Sequence, residues 1–150
     1  MADAMLGKLT RWLRLLGVKV FFSNASDDEV IKKAVKENAI LLTRDEALAK
    51  KASDYCKTLL LKPGDSFEQL QTVMKEFSLK AKNAPLLALC PKCGGKIKRT
   101  AKAKVENRVF PRVFKQQKRF WACTECGQAY WKGSHFKKIT AKLKGLKKTR

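Results

Sequence analysis

Two Cys-x-x-Cys pairs, Cys90-Pro-Lys-Cys93 and Cys123-Thr-Glu-Cys126, each followed by Gly, constrain this chain more than any other feature. Four thiolates at that spacing close a tetrahedral zinc site and let a small ribbon fold with little hydrophobic core. Disulfides and redox chemistry are the competing uses of such pairs. The two thiols of one Cys-x-x-Cys bridge each other poorly as a structural disulfide, and one redox motif has no use for a second pair at ribbon spacing. Zn²⁺ on Cys90, Cys93, Cys123 and Cys126 is therefore the expectation. Because a closed four-cysteine site keeps no open coordination position, that zinc is scaffold and the chemistry lies elsewhere.

At 150 residues, the chain has room for one ordinary domain and a small one, and its 45% hydrophobic content is enough for a core. No run of about 18 apolar residues is present to span a membrane, and the N-terminus lacks a signal-peptide pattern. The expectation is a cytoplasmic protein with reduced thiols, no membrane partner and no small-molecule cofactor. Cys56 is left over and reads as a small buried hydrophobe, since the single His lies far away in sequence. Charge is divided unevenly: residues 84–150 carry 19 Lys and Arg against 2 acids, residues 1–83 carry 15 against 11. A field of that size and sign calls for a polyanion, most commonly nucleic acid. Lys-rich surfaces of heat-adapted proteins carry matching Glu, and that balance is missing here.

The first half alternates between strand and helix patterns. Met5 to Leu16 puts Met5, Leu9, Trp12, Leu13 and Leu16 on one helical face, with Gly17 as the stop. Val18 to Phe22 reads as a strand, and Ser26-Asp27-Asp28-Glu29 as a capping box opening a helix with Val30, Ile31, Ala34 and Val35 inward. Ala39 to Thr43 is a continuous apolar strand, followed by Arg44-Asp45 and a helix through Leu48 and Ala52. Thr58 to Leu61 is another strand, and Ser66 to Phe77 an amphipathic helix. This alternation predicts a three-layer parallel α/β sheet, with a boundary between residues 83 and 84, a ribbon over 84–136 and a basic tail over 137–150.

Carboxylates fall at the strand ends of this scheme: Asp3 before the first helix, Asp27 and Asp28 at the second, Asp45 after the Ala39 strand and Asp65 after the next. Ligands of open α/β sheets bind at that edge. Carboxylates meeting there can hold Mg²⁺ or Mn²⁺, which orients water and offsets charge on a scissile phosphate. Each also has a purely structural use as a helix cap or turn residue.

Longer motifs then carry a resemblance. Asp3-Ala-Met-Leu-Gly-Lys-Leu-Thr-Arg-Trp-Leu-Arg-Leu-Leu-Gly17, Asp28-Glu29, Leu41-Leu42-Thr43-Arg44-Asp45, both cysteine pairs and Tyr130-Trp-Lys-Gly-Ser-His135-Phe136 closely resemble the Mut-seven C-terminal RNase domain family. The resemblance runs from residue 3 to about 138. It implies a PIN-like nuclease fold followed by a zinc ribbon, and a Mg²⁺- or Mn²⁺-dependent ribonuclease with Asp3, Asp28 and Asp45 at the acidic positions. It also implies Arg44, Lys8 and Arg11 beside the phosphate. The family's first strand runs several residues ahead of its aspartate, whereas only Met1 and Ala2 precede Asp3. Either the chain is a shortened form, or that edge of the sheet is expected to be poorly supported and Asp3 mobile.

Between the cysteine pairs, Val105 to Phe114 and Phe120 to Ala122 read as hairpin strands. They carry Arg108, Arg112, Lys115, Lys118 and Arg119 interleaved with Phe110, Phe114, Phe120 and Trp121. Basic groups contact phosphates while aromatic faces stack on unpaired bases. Trp131 and His135 join the expected RNA contacts through their motif; His135 has structural and metal-ligand alternatives. The reading is a metal-dependent ribonuclease acting on RNA, with ribosomal or transfer RNA or the ribosome as candidate partners. Its competitor is a non-catalytic RNA-binding or ribosome-associated factor built on a degenerate PIN-like fold.

Overall fold

The computed structural model describes residues 1–80 and 86–146 and every side chain among them except that of Lys144. Contacts group the chain into two units, Met1–Leu13 with Lys19–Leu79, and Arg14–Val18 with the residues from Lys80 onward. The expected boundary between residues 83 and 84 lies outside the described residues, as do residues 147–150 of the expected tail.

In the first unit, β1 (Leu41–Thr43) pairs in parallel with β2 (Thr58–Leu60), Leu41 opposite Thr58. All three β1 residues are buried, as a strand covered on both faces requires. Ala2 forms parallel bridges to Leu42 on one side and Phe22 on the other. The Met1 nitrogen donates to the Ile40 carbonyl at 2.8 Å, Leu42 N to Met1 O at 2.8 Å, and Asp3 N to Leu42 O at 3.3 Å. On the opposite side Ala2 N donates to Phe21 O at 2.8 Å and Ser23 N to Ala2 O at 3.2 Å. This corrects the expectation of a poorly supported edge: Met1 and Ala2 are 5% and 0% exposed. Two residues suffice because their backbone donors and acceptors are met from both flanks. The same brevity limits the expected Val18–Phe22 strand, of which only Phe22 is bridged to Ala2. In place of a wide parallel sheet, the described residues contain two parallel strands extended by these single-residue bridges.

Helices pack on this element through narrow stripes. A 3₁₀ turn, Ala4–Leu6, precedes α1 (Gly7–Leu15). That tighter turn changes the phase of the pattern, so Leu6 is buried and Met5, expected inward, is 55% exposed. Helix α2 (Asp27–Lys36) opens on Ser26, whose backbone N–H and hydroxyl both donate to the Glu29 carboxylate. Val30, Ile31 and Ala34 are buried, but Val35 lies outside the stripe and is half exposed. These residues form a core cluster with Met1, Leu41, and Leu48 and Ala52 of α3 (Glu46–Ala52); Cys56, expected buried, packs against it only partly buried. Helix α4 (Ser66–Glu76) is capped by Asp65, whose carboxylate accepts from Phe67 N at 2.9 Å, and Phe67 meets Trp12 edge-on at 5.4 Å.

The second unit holds an antiparallel sheet ordered β3 (Ile97–Thr100), β4 (Phe120–Cys123), β5 (Ala129–Tyr130). The expected strand from Val105 to Phe114 is instead a 3₁₀ helix, Lys102–Arg108, followed by α5 (Pro111–Gln116). Pro111 explains the correction: it has no N–H for a ladder, and its fixed φ suits the first turn of a helix. Val105, Val109 and Val113 then recur every four residues and pack with Phe120, Ala129 and Trp131 as this unit's core. Helix α6 (Ser134–Gly145) runs through the expected start of the tail at residue 137 and buries Leu143. Among the described residues no helix is long and apolar enough to cross a membrane.

Ala2 has no room to grow. Ala2→Leu should destabilise the protein by about 1–3 kcal/mol through overpacking, whereas exposed Ala4→Leu should stay within about 0.5 kcal/mol of the parent. Urea-unfolding midpoints of the two variants test this, and equal midpoints would contradict the central placement of Ala2.

Candidate functional site

Two of the expected carboxylates, Asp3 and Asp45, sit at the carboxyl ends of neighbouring parallel segments. Asp3 follows Ala2, and Asp45 is the second residue after β1, with Arg44 between. Thr43 joins them: its hydroxyl donates to Asp3 Oδ2 and accepts from Asp45 N at 3.0 Å. Asp3 is 6% exposed, and its Oδ1 also accepts from Met5 N at 3.0 Å, capping the 3₁₀ turn. Asp45 caps α3, with Oδ1 accepting from Leu48 N at 3.0 Å. Sequence reasoning singled out both aspartates but assigned Thr43 no role; its signal was a polar residue ending an apolar strand, and it is fully buried.

Asp28 has a different environment. In the first turn of α2, its carboxylate is 2.7 Å from Lys51 Nζ. Among the described residues, only the four cysteines make a group of three or more His, Cys, Asp or Glu with all ligand atoms within 4.8 Å of one another. Asp3, Asp28 and Asp45 therefore do not converge to that distance. The hydrogen bond from Lys51, reinforced by its charge, holds Asp28 below the ordinary 3.8 and raises Lys51. A depressed folded pKa means that the contribution of the pair is present above 3.8 and lost as pH falls through the folded value. Lys51→Met should move Asp28 back up towards 3.8 in a side-chain carboxyl NMR titration; an unmoved titration would show that the contact is not formed in solution.

Arg44, between Thr43 and Asp45, lines a cavity of about 550 Å³ together with Lys8, Arg11, Gly64, Asp65, Ser66 and Gln69. The structure thus brings the three expected phosphate-contacting cations to one concavity. It adds Asp65, Ser66 and Gln69, to which sequence reasoning gave no RNA contact. Gln69 is buried and donates to Lys62 O at 3.2 Å.

In the second unit the four sulfurs gather with Cys90 to Cys126 at 3.7 Å and Cys93 to Cys123 at 3.4 Å. A tetrahedron with metal–sulfur bonds of about 2.3 Å has edges of roughly 3.8 Å, so this spacing suits a four-thiolate metal and is compatible with zinc. All four are free thiols. Gly95 N and Glu125 N each point at a cysteine sulfur at 3.4 Å, and Gly94 and Gly127 take φ of +86° and +70° to close the two knuckles. A Cβ at Gly95 would come within 2.3 Å of the Glu125 side chain.

Two residues outside the motif serve the cluster. The Tyr130 hydroxyl lies 2.9 Å from Cys90 Sγ, and the Arg14 guanidinium donates to the carbonyls of Lys92 at 3.1 Å and Pro91 at 3.4 Å. Burial pushes the Cys90 thiol up; the bond from Tyr130 and the backbone N–H groups of Cys93 and Lys92 more than offset it, taking the group from 9.0 to about 7. Burial raises Tyr130, and its bond to Cys90 raises it further. Burial lowers Arg14, while the Cys93 and Cys90 thiols oppose that shift.

The expected RNA contacts divide by environment. Arg112, Lys118, Arg119 and His135 are exposed; Arg108 is exposed and donates to Gly127 O at 3.4 Å. Trp131 packs edge-on against buried Phe120 at 6.5 Å, and Lys132 lies over the half-buried Trp121 ring at 5.3 Å. Phe110, 78% exposed, is the most open large aromatic among the described residues.

From the thiolate geometry, purified protein should carry close to one equivalent of Zn²⁺. Cys93→Ser should release it and unfold the second unit, since metal binding is folding energy for such modules. Elemental analysis with circular dichroism reads both effects, and zinc-free protein with the same spectrum would contradict them.

No curated protein and no solved structure matches the chain at a significant level. One family model does, covering residues 1–143 and so including the acidic edge, the cationic cavity and all four cysteines. The chain belongs to the Mut7-C RNAse domain family.

Proposed function

We propose that this protein is a ribonuclease that hydrolyses RNA phosphodiester bonds with a Mg²⁺ or Mn²⁺ held at the carboxyl edge of a PIN-like parallel sheet. Membership of an RNase domain family supports the reaction class. The parallel order Phe22, Ala2, β1, β2 supports the PIN-like reading of the sheet. The observation that carries the proposal is the link from Asp3 through Thr43 to Asp45, which fixes two carboxylates of adjacent segments at one edge. Oxygen donors of this kind suit hard divalent cations. The metal supplies orientation of a water and relief of charge on the scissile phosphate. Asp3 and Asp45 would hold it in this reading, with Asp28 as the third expected carboxylate. Arg44, Lys8 and Arg11, which line one cavity, contact the phosphates of the RNA.

Zinc on the four cysteines keeps the second unit folded, and its surface binds the substrate RNA. Arg108, Arg112, Lys118, Arg119, Trp121, Trp131 and His135 are the proposed contacts, with Phe110 available to stack on an unpaired base. Ribosomal or transfer RNA, free or within the ribosome, are the candidate substrates.

Asp45→Asn tests the proposal cleanly. Asn caps a helix about as well as Asp, so α3 should persist, but the amide brings no charge to a metal. Cleavage of single-stranded and hairpin RNA in Mn²⁺ or Mg²⁺ should fall by orders of magnitude while RNA binding is kept. If wild type and variant both bind RNA and neither cuts it under any metal, the protein is an RNA-binding factor and the nuclease reading is wrong.

A further inference from the structure

The cavity at Arg44 holds more positive charge than one internal phosphate needs. Three cations, Lys8, Arg11 and Arg44, line it against a single carboxylate, Asp65. That carboxylate is already engaged with Phe67 N as the cap of α4. No hydrogen bond or ion pair to the side chains of Lys8, Arg11 or Arg44 is found among the described residues, and Arg44 Nε is buried without a partner. The three side chains therefore bring their charge to the cavity wall without a protein counter-ion beyond Asp65 among the described residues. Ser66 lies in the wall at the first turn of the 11-residue helix α4, adding the positive end of the helix dipole to the side-chain cations.

Size and charge then narrow the ligand. About 550 Å³ lies within the roughly 300–1,000 Å³ of small-ligand sites, which leaves room for a nucleotide beyond its phosphate. An internal phosphodiester carries one negative charge, whereas a phosphomonoester carries about 1.5 to 2 at neutral pH and presents three acceptor oxygens. None of Asp3, Asp28 and Asp45 lines the cavity, so the phosphate it takes is distinct from one held by those carboxylates. Resting on the RNA substrate proposed above, we propose that this cavity binds the terminal phosphomonoester of an RNA strand, with Lys8, Arg11 and Arg44 as its anion contacts.

The test uses the full zinc-loaded chain without added Mg²⁺ or Mn²⁺. Three internally labelled single-stranded RNAs of one sequence are compared by fluorescence anisotropy: 5′-phosphorylated, 3′-phosphorylated, and hydroxyl at both ends. One of the two phosphorylated strands should bind about tenfold tighter than the hydroxyl-ended one, the size of one added charge-assisted contact, and which one identifies the strand end. Lys8→Gln and Arg11→Gln, each verified as folded by circular dichroism, should bring that affinity ratio down to about 1. Three equal affinities, or a ratio that survives both substitutions, would overturn the proposal. So would inorganic phosphate displacing the phosphorylated RNA at equal concentration, because the site would then take free phosphate. Since no cleavage is measured, a preserved end preference in a protein that never cuts RNA sinks the nuclease reading alone, and cleavage without an end preference sinks this inference alone.

Discussion

The acidic edge of the first unit depends on hydrogen bonds that hold Met1, Ala2 and Asp3 from both sides. Chain termini usually fray, and two residues ahead of Asp3 offer almost nothing to pack. Here Met1 N, Leu42 N and Asp3 N tie the segment to residues 40–42, while Ala2 N and Ser23 N tie it to residues 21–23. Each such bond contributes only about 0.5–1.5 kcal/mol, but leaving any of them unmade around the fully buried Ala2 would cost more. Asp3 consequently leaves a fixed backbone, and Met5 N and the Thr43 hydroxyl fix its two oxygens. Ligands and catalytic groups need this kind of support behind them.

The second unit solves its stability differently. Its core is small, centred on Val105, Phe120 and Ala129 with Val109, Val113 and Trp131 packed against it. A domain with so little apolar interior usually needs a staple, and the four gathered sulfurs provide the ligands for one. Four thiolates around a divalent cation leave two net negative charges. The Tyr130 hydroxyl and the N–H groups of Gly95 and Glu125 lie against the sulfurs that would carry that charge, and the Arg14 guanidinium is under the electrostatic influence of Cys93 and Cys90.

Legibility in the sequence followed the strength of the local signal. The cysteine spacing, the Ser26 capping box and the apolar run ending at Thr43 each encode their structure within a few residues, though the strand expected from Ala39 is confined to Leu41–Thr43. Val105 to Phe114 reads as strand because aromatic and basic residues alternate along it, but the four-residue spacing of its valines and the Pro at position 111 set helix there. An unbroken helical period points Met5 inward, and the 3₁₀ turn interrupts that period. Other features have no local signal at all. The bridging of Ala2 between Phe22 and Leu42, the Thr43 link and the cavity formed by residues 5–11, 44 and 64–69 all exist only after distant segments meet.

Capping and metal binding are easily treated as rival explanations of an aspartate at a strand end, yet the geometry makes them compatible. A carboxylate has about four lone-pair sites. Asp45 accepts from Leu48 N through Oδ1, which occupies one of them and leaves Oδ2 with no hydrogen bond to a described residue. The cap fixes the side-chain torsions of Asp45, so the oxygen left over has a defined position instead of a cone of them. Asp3 behaves similarly: each oxygen accepts one hydrogen bond, and each keeps a further lone pair. Removing the cap would therefore not liberate a better ligand. It would return rotamer freedom to the side chain, at an entropic cost to any group that has to order it, so service as a cap does not argue against service as a ligand.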